Sequence, residues 1–170
     1  MNRPQECLNF TRSSSSFPTL DCSLTDYSEQ LNLVTAYIDG SQIYGSSADK
    51  SAELRLGSGG LLKTSPSVAF PPKSYLPLTY GPNGNQSDEC SLTEQISCFI
   101  AGDTRTNNNL GLAGVHTLFL REHNRIATKL ASVNTWMNDE QLFNEARRIL
   151  IAIYQHIVYN EWVGKKCLFY

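Results

Sequence analysis

No uninterrupted apolar stretch in this 170-residue sequence approaches the ~20 residues that cross a bilayer, so no transmembrane segment is expected. The first residues, Met1-Asn2-Arg3-Pro4-Gln5-Glu6, hold no apolar core of the secretory type, and no signal peptide is visible. Excess charge is missing too: 14 Lys+Arg against 16 Asp+Glu give a formal net charge of −2. That balance argues against a nucleic-acid partner or a polybasic membrane binder. No CxxC occurs, which disfavours a zinc ribbon or a thioredoxin-type site. Glu122-His123 is not an HExxH pattern, so a metalloprotease of that class is excluded. Phosphate-binding loops, Ser/His/Asp contexts and internal repeats are absent as well. The length suits one domain with a real core.

What is present points elsewhere. Five cysteines fall as Cys7 and Cys22, Cys90 and Cys98, with Cys167 left over. Two local pairs and an orphan suit an oxidising compartment. Two glycosylation sequons, Asn9-Phe10-Thr11 and Asn85-Gln86-Ser87, favour the same extracellular origin. The conflict with the missing signal peptide leads to the expectation that the chain is a piece of something longer.

Residues 1–30 are rich in Ser and turn formers and read as a loop. Residues 31–43 alternate, with Val34, Ala36 and Ile38 against Thr35, Tyr37, Asp39 and Ser41, which reads as an extended segment. Ser47 is a candidate N-cap for a short helix ending near Leu56. Residues 57–98 hold most of the Gly and Pro and read as long irregular loops. Asn107-Asn108-Asn109 is a cap cluster, followed by Leu112, Val115, Leu118/Phe119, Ile126 and Leu130 at helical spacing. A second helix follows a cap at Asn138 or Asp139, with Leu142, Ala146, Ile149/Leu150, Ile153 and Ile157 as its apolar stripe. Trp136 reads as a plug between these two helices. The fold class expected is mainly α, with little sheet.

Two constellations carry possible chemistry. In Ala101-Gly102-Asp103-Thr104-Arg105, a glycine-bearing turn aims an arginine beside a helix N-terminus, where it can polarise a peroxide, carboxylate or phosphate. The same residues also make sense as an Asp103–Arg105 ion pair that fixes the loop. Thr35, Tyr37, Asp39 and Ser41 form a hard oxygen set suited to calcium, or equally the solvent-facing side of a strand. His116 and His123 stand two helical turns apart, about 10 Å, too far to share one metal ion. Arg121-Glu122-His123-Asn124-Arg125 reads either as a solvated face or as a source of buried hydrogen bonds.

Ala101–Arg105, then His116-Thr117-Leu118-Phe119-Leu120-Arg121-Glu122-His123-Asn124-Arg125, resembles the animal haem peroxidase family. Thr35 to Ser46 is similar to that family's calcium loop and the turn after it, and Trp136 to Ile157 to the following helix. The resemblance covers about residues 5–163. It implies a partial haem-peroxidase-like helical domain, with a disulfide-stapled region at 1–30, a calcium-loop segment at 31–46, irregular loops at 57–98 and two long helices at 107–163. Residues 164–170 are then a divergent tail.

By resemblance, Arg105 matches the distal arginine that acts on peroxide. Thr35, Asp39 and Ser41 match calcium ligands, Tyr37 gives its carbonyl, and Cys7–Cys22 and Cys90–Cys98 match disulfides. His116 and His123 match structural positions. Asn108 stands where the family has a glutamate that forms an ester to the haem, and an amide cannot form that link. The distal histidine is expected before residue 1 and the proximal iron ligand after residue 170. The implied function is haem-dependent reduction of hydrogen peroxide with oxidation of a small electron donor, outside the cell. The alternative is a non-catalytic extracellular module that keeps the scaffold without the chemistry.

Overall fold

The computed structural model describes residues 32–66, 73–79 and 98–167. The chain divides into two units, residues 1–36 and 37–170. Of the first, residues 32–36 are described; they are irregular, and the Val34 amide donates to Asn32 Oδ1 at 3.1 Å. Cys7, Cys22, Cys90, Asn9 and Asn85 lie outside the described residues.

The second unit runs through α1 (Ser41–Tyr44), α2 (Ala48–Leu54), β1 (Ser65–Pro66), β2 (Ser74–Tyr75), β3 (Leu78–Thr79) and β4 (Cys98–Phe99). A 3-10 turn at Thr104–Asn107 leads into α3 (Leu110–Val133) and then α4 (Asp139–His156). Helical backbone continues from α4 through a π-helical segment, Ile157–Val163, and α5 (Gly164–Cys167). The mainly α expectation is met. The strands form two antiparallel pairs, Ser65 opposite Tyr75 and Leu78 opposite Phe99.

The expected caps are in place. The Ser47 hydroxyl accepts from the Lys50 amide, and Asn109 Oδ1 from the Leu112 amide at 2.9 Å. Asn138 and Gln141 exchange side-chain and backbone bonds in a capping box, and Asp139 and Glu140 add favourable charge in the first turn of α4. On α4 the buried residues Leu142, Ala146 and Leu150 lie on the expected stripe, joined by Phe143.

Three expectations need correction. The alternating segment is not a strand: Gly40 takes a left-handed φ of 71°, and its carbonyl accepts from the Ile43 and Tyr44 amides, which turns the chain into α1. Thr35 falls in the first unit, while Tyr37, Asp39 and Ser41 fall in the second. On α3, Val115 and Leu118 face outward, and the buried row is His116, Thr117, Leu120, His123, Ile126 and Ala127. The predicted stripe missed it because half of that row is polar. Trp136 is not a plug; it is 71% exposed, thrown outward by the turn in which the Met137 amide donates to the Asn134 carbonyl. Ala127 and Ala146, both fully buried, let α3 and α4 approach too closely to admit an indole.

Two asparagines imitate a peptide group, Asn124 on α3 and Asn107 at the end of the 3-10 turn. Asn124 accepts from the Leu62 amide at 2.8 Å and donates to its carbonyl at 3.0 Å. Asn107 does the same to Phe99, at 3.0 and 2.9 Å. Each satisfies both backbone groups of a residue whose antiparallel pairing, Leu62 with Arg55 and Phe99 with Leu78, leaves them without ladder bonds.

Gly60 is the tightest junction. It has φ 67°, its amide donates to Asp139 Oδ1 at 2.7 Å, and its carbonyl accepts from His123 Nε2 at 2.9 Å. An added Cβ would sit 2.6 Å from both Leu142 Cβ and the Phe143 nitrogen. Gly57 has φ 81° with nothing within 4 Å of its own added Cβ. Gly60→Ala should therefore cost on the order of 4 kcal/mol, adding a steric to a conformational penalty, while Gly57→Ala should cost about 1–2 kcal/mol from conformation alone. Urea denaturation of both variants checks this. Equal losses would show that Gly60 is not wedged between the helices.

Candidate active site

The loop Ala101–Arg105 is pinned before its arginine is placed. Ala101 is in the core cluster, and a Cβ on Gly102 would fall 2.2 Å from the Ser41 carbonyl oxygen and 2.3 Å from the Gly45 nitrogen. Only glycine lets this backbone lie directly on α1. The Asp103 amide then donates to the Gln42 carbonyl at 3.2 Å. Asp103 caps the 3-10 turn, and Thr106, fully buried, returns its hydroxyl to the Asp103 carbonyl at 2.8 Å.

Arg105 is oriented by that same aspartate. Its amide and Nε donate to Asp103 Oδ1 at 2.8 and 3.0 Å, and Nη2 donates to Oδ2 at 2.7 Å. This bidentate fork holds the Asp103 carboxyl below the usual carboxylate range, although its partial burial opposes the shift. The guanidinium side chain is 56% exposed while the aspartate is mostly covered. The ion pair anticipated from the sequence is therefore present, and it fixes the plane and direction of the arginine. Asn108, next to the turn, is exposed, and Asn109 caps α3.

The histidines are committed elsewhere. His123 is completely buried: Nδ1 accepts from the Tyr44 hydroxyl at 2.9 Å and Nε2–H donates to Gly60. Burial pushes its pKa down to about 4, against a raising contribution from the Gly60 hydrogen bond, so the ring is neutral at ordinary pH. His116 is buried, with Nδ1–H donating to the Leu112 carbonyl at 2.7 Å. His156 is exposed and meets Asn160 at 3.1 Å. Asp39 Oδ1 accepts from the Ser41 amide at 2.9 Å, and Tyr37 is exposed. No cluster of three or more His, Cys, Asp or Glu forms among the described residues. Cys98 is buried and disulfide-bonded.

The sequence of charged residues in α3 splits both ways. Arg121 donates through Nε to the Ser74 carbonyl and His123 and Asn124 make the internal bonds given above, whereas Glu122 and Arg125 pair in solvent. Sequence reasoning gave no role to Tyr44, Arg55 or Gly60. Arg55 joins Asp139 and Glu140 by ion pairs and lies 4.1 Å from the Phe143 ring centre. Local spacing carries no trace of such pairings across some 80 residues.

The family model for animal haem peroxidases matches residues 1–166. The chain belongs to that family. Over 168 residues it is 45% identical to the probable oxidoreductase PXDNL of Homo sapiens, covering 94% of this chain and 11% of that protein. It is 46% identical to the chorion peroxidase of Aedes aegypti over 143 residues, covering 84% of this chain and 17% of that one. Peroxidase A from Dictyostelium discoideum superposes with a TM-score of 0.68 at 34% identity, over 79% of this chain and 26% of that one. The chain thus spans a minor part of the peroxidases it matches. Within it, no described helix is long and apolar enough to cross a membrane.

The residues of this region form one face of the candidate site. They supply an oriented, solvent-facing guanidinium beside the start of α3, while both buried histidines have their exchangeable protons bound internally. Gly102→Ala should lift the arginine loop off α1. Amide hydrogen exchange at Asp103 should then accelerate at least tenfold, with α4 protection unchanged. Unaltered exchange would mean that the loop does not depend on that contact.

Proposed function

We propose that this chain is a section of the catalytic domain of an extracellular haem peroxidase, and that Arg105 is its catalytic residue. One observation supports the reading above the others: Asp103 grips Arg105 along one edge, on a loop pinned to α1, at the position matching the family's distal arginine. Haem, when bound, supplies the iron at which hydrogen peroxide is reduced and a small donor oxidised.

The chain's part is electrostatic. Breaking an O–O bond develops negative charge on the departing oxygen. A guanidinium fixed in direction before the reaction stabilises that charge without having to reorganise, and does so more in the transition state than in the ground state. Asp103 is therefore the positioning residue and Arg105 the donor. Asn108 takes no covalent link to the haem, because an amide cannot form the ester.

The same reading assigns Thr35, the Tyr37 carbonyl, Asp39 and Ser41 to a calcium ion. Their donors are hard oxygens, and a single carboxylate makes this share of the site weak by itself. It also pairs Cys7 with Cys22 and Cys90 with Cys98, and places sugar on Asn9 and Asn85. The disulfide at Cys98 supports an oxidising environment.

The test uses the complete domain, with flanking segments supplied from a relative. Arg105→Ala should slow the stopped-flow reaction with hydrogen peroxide by about 100- to 1000-fold, with haem content near normal. Arg105→Lys should recover only part, because an ammonium does not reproduce the planar donor array. An alanine variant as fast as the parent would reduce Arg105 to a loop fastener.

A further inference from the structure

A different face of α3 carries a second polar arrangement. Arg121, Arg125 and Lys129 follow one another at four-residue intervals, and Asn124, Thr128 and Ser132 make the neighbouring row at the same spacing. Residues four apart stack along a helix, so the cations form a ridge about 12 Å long. The six side chains line one open surface groove, and no carboxylate is among them.

Each cation is differently prepared. Arg121 is anchored by its Nε on the Ser74 carbonyl at 2.7 Å and lies 5.3 Å from the Tyr75 ring centre, which leaves its Nη atoms without a hydrogen bond to described residues. Arg125 spends Nε and Nη2 on Glu122, at 2.8 and 2.7 Å, and keeps Nη1. Lys129 is exposed and its ammonium has no partner among the described residues. In the second row, Thr128 and Ser132 donate their hydroxyl protons to helix carbonyls at 2.7 Å, so their oxygens face outward as acceptors. A row of cationic donors beside a row of neutral acceptors matches a ligand that alternates anionic groups with hydroxyls.

We propose that this groove binds a sulfated glycan, with sulfates on the Arg121–Arg125–Lys129 ridge and sugar hydroxyls on Thr128 and Ser132. Nucleic acid fits less well. No aromatic side chain lines the groove for base stacking, and the nearby Tyr75 ring is covered by Arg121. The disulfide at Cys98 belongs to an oxidising setting, and on the extracellular reading proposed above, on which this inference rests, sulfated glycans are polyanions of that setting. With a formal net charge of −2, the chain as a whole offers a polyanion no general attraction.

The complete domain, with flanking segments supplied from a relative as above, is titrated with a heparin hexasaccharide at several salt concentrations. Binding should weaken steeply with salt, and Lys129→Glu should weaken it about tenfold. Lys129 has no partner among the described residues to lose, so circular dichroism and the urea midpoint should not move. Lys50→Glu, on α2 and outside the groove, should bind as the parent does. No measurable binding by the parent, equal binding by Lys129→Glu, or binding of the desulfated hexasaccharide or a single-stranded oligonucleotide as tight as that of heparin would each overturn the proposal.

Discussion

A single neutral imidazole joins three elements that have no covalent reason to stay together. His123 on α3 receives the Tyr44 hydroxyl of α1 on one nitrogen and donates from the other to Gly60, in the loop after α2, both at 2.9 Å. The two bonds demand one tautomer: Nδ1 must lack its proton and Nε2 must carry it. A second proton would oblige the Tyr44 hydroxyl to accept instead of donate and would bury a positive charge near Arg55 and Arg147, both of which already depress the histidine's affinity for protons. Tyr44 is held protonated by the same burial, its pKa raised well beyond the ordinary phenol value. Phe143 completes the junction, edge-on to Tyr44 at 5.9 Å and 5.3 Å from His123.

The candidate site rests on that junction through α1. Tyr44 ends α1, the Gln42 carbonyl in the same helix receives the Asp103 amide, and Gly102 lies against the backbone of Ser41 and Gly45. Asp103 in turn grips Arg105. The line from His123 to the guanidinium is thus a series of short contacts among buried or half-buried groups, and α4 braces it from the other side through Asp139 and Phe143. An exposed arginine gains a fixed direction because everything beneath it is packed.

How much of this could be read from the chain follows from the range of each interaction. Ser47, Asn109 and Asn138 were legible as caps because a cap acts within three residues. The α4 stripe was legible because its buried side is apolar. The α3 stripe was misplaced because His116, Thr117 and His123 occupy the buried row, and their hydrogen bonds, which make burial tolerable, involve partners a periodicity cannot see. The alternation before Ser41 had strand period but was broken by Gly40, whose left-handed backbone a period-two pattern does not register. Asn107 was read with its neighbours as part of a cap, whereas it clamps Phe99. The Asp103–Arg105 pair was legible from local spacing, while the support beneath it spans more than 50 residues.

The charge state of His123 is the point on which this scaffold turns. The ordinary histidine value of 6.5 falls to about 4 in the fold. Between those limits the unfolded chain takes up a proton and the folded chain does not. The contribution of His123 to stability is therefore complete above pH 6.5 and declines as pH falls toward 4, by about 3 kcal/mol in all. Nitrogen-15 NMR of the His123 ring, followed from pH 7.5 to 3.5, reads this directly. The account predicts a neutral Nε2–H tautomer that persists until about pH 4, with protonation accompanied by loss of the folded spectrum. A ring that titrates near pH 6.5 with the fold intact, or one protonated on Nδ1 at neutral pH, would contradict it.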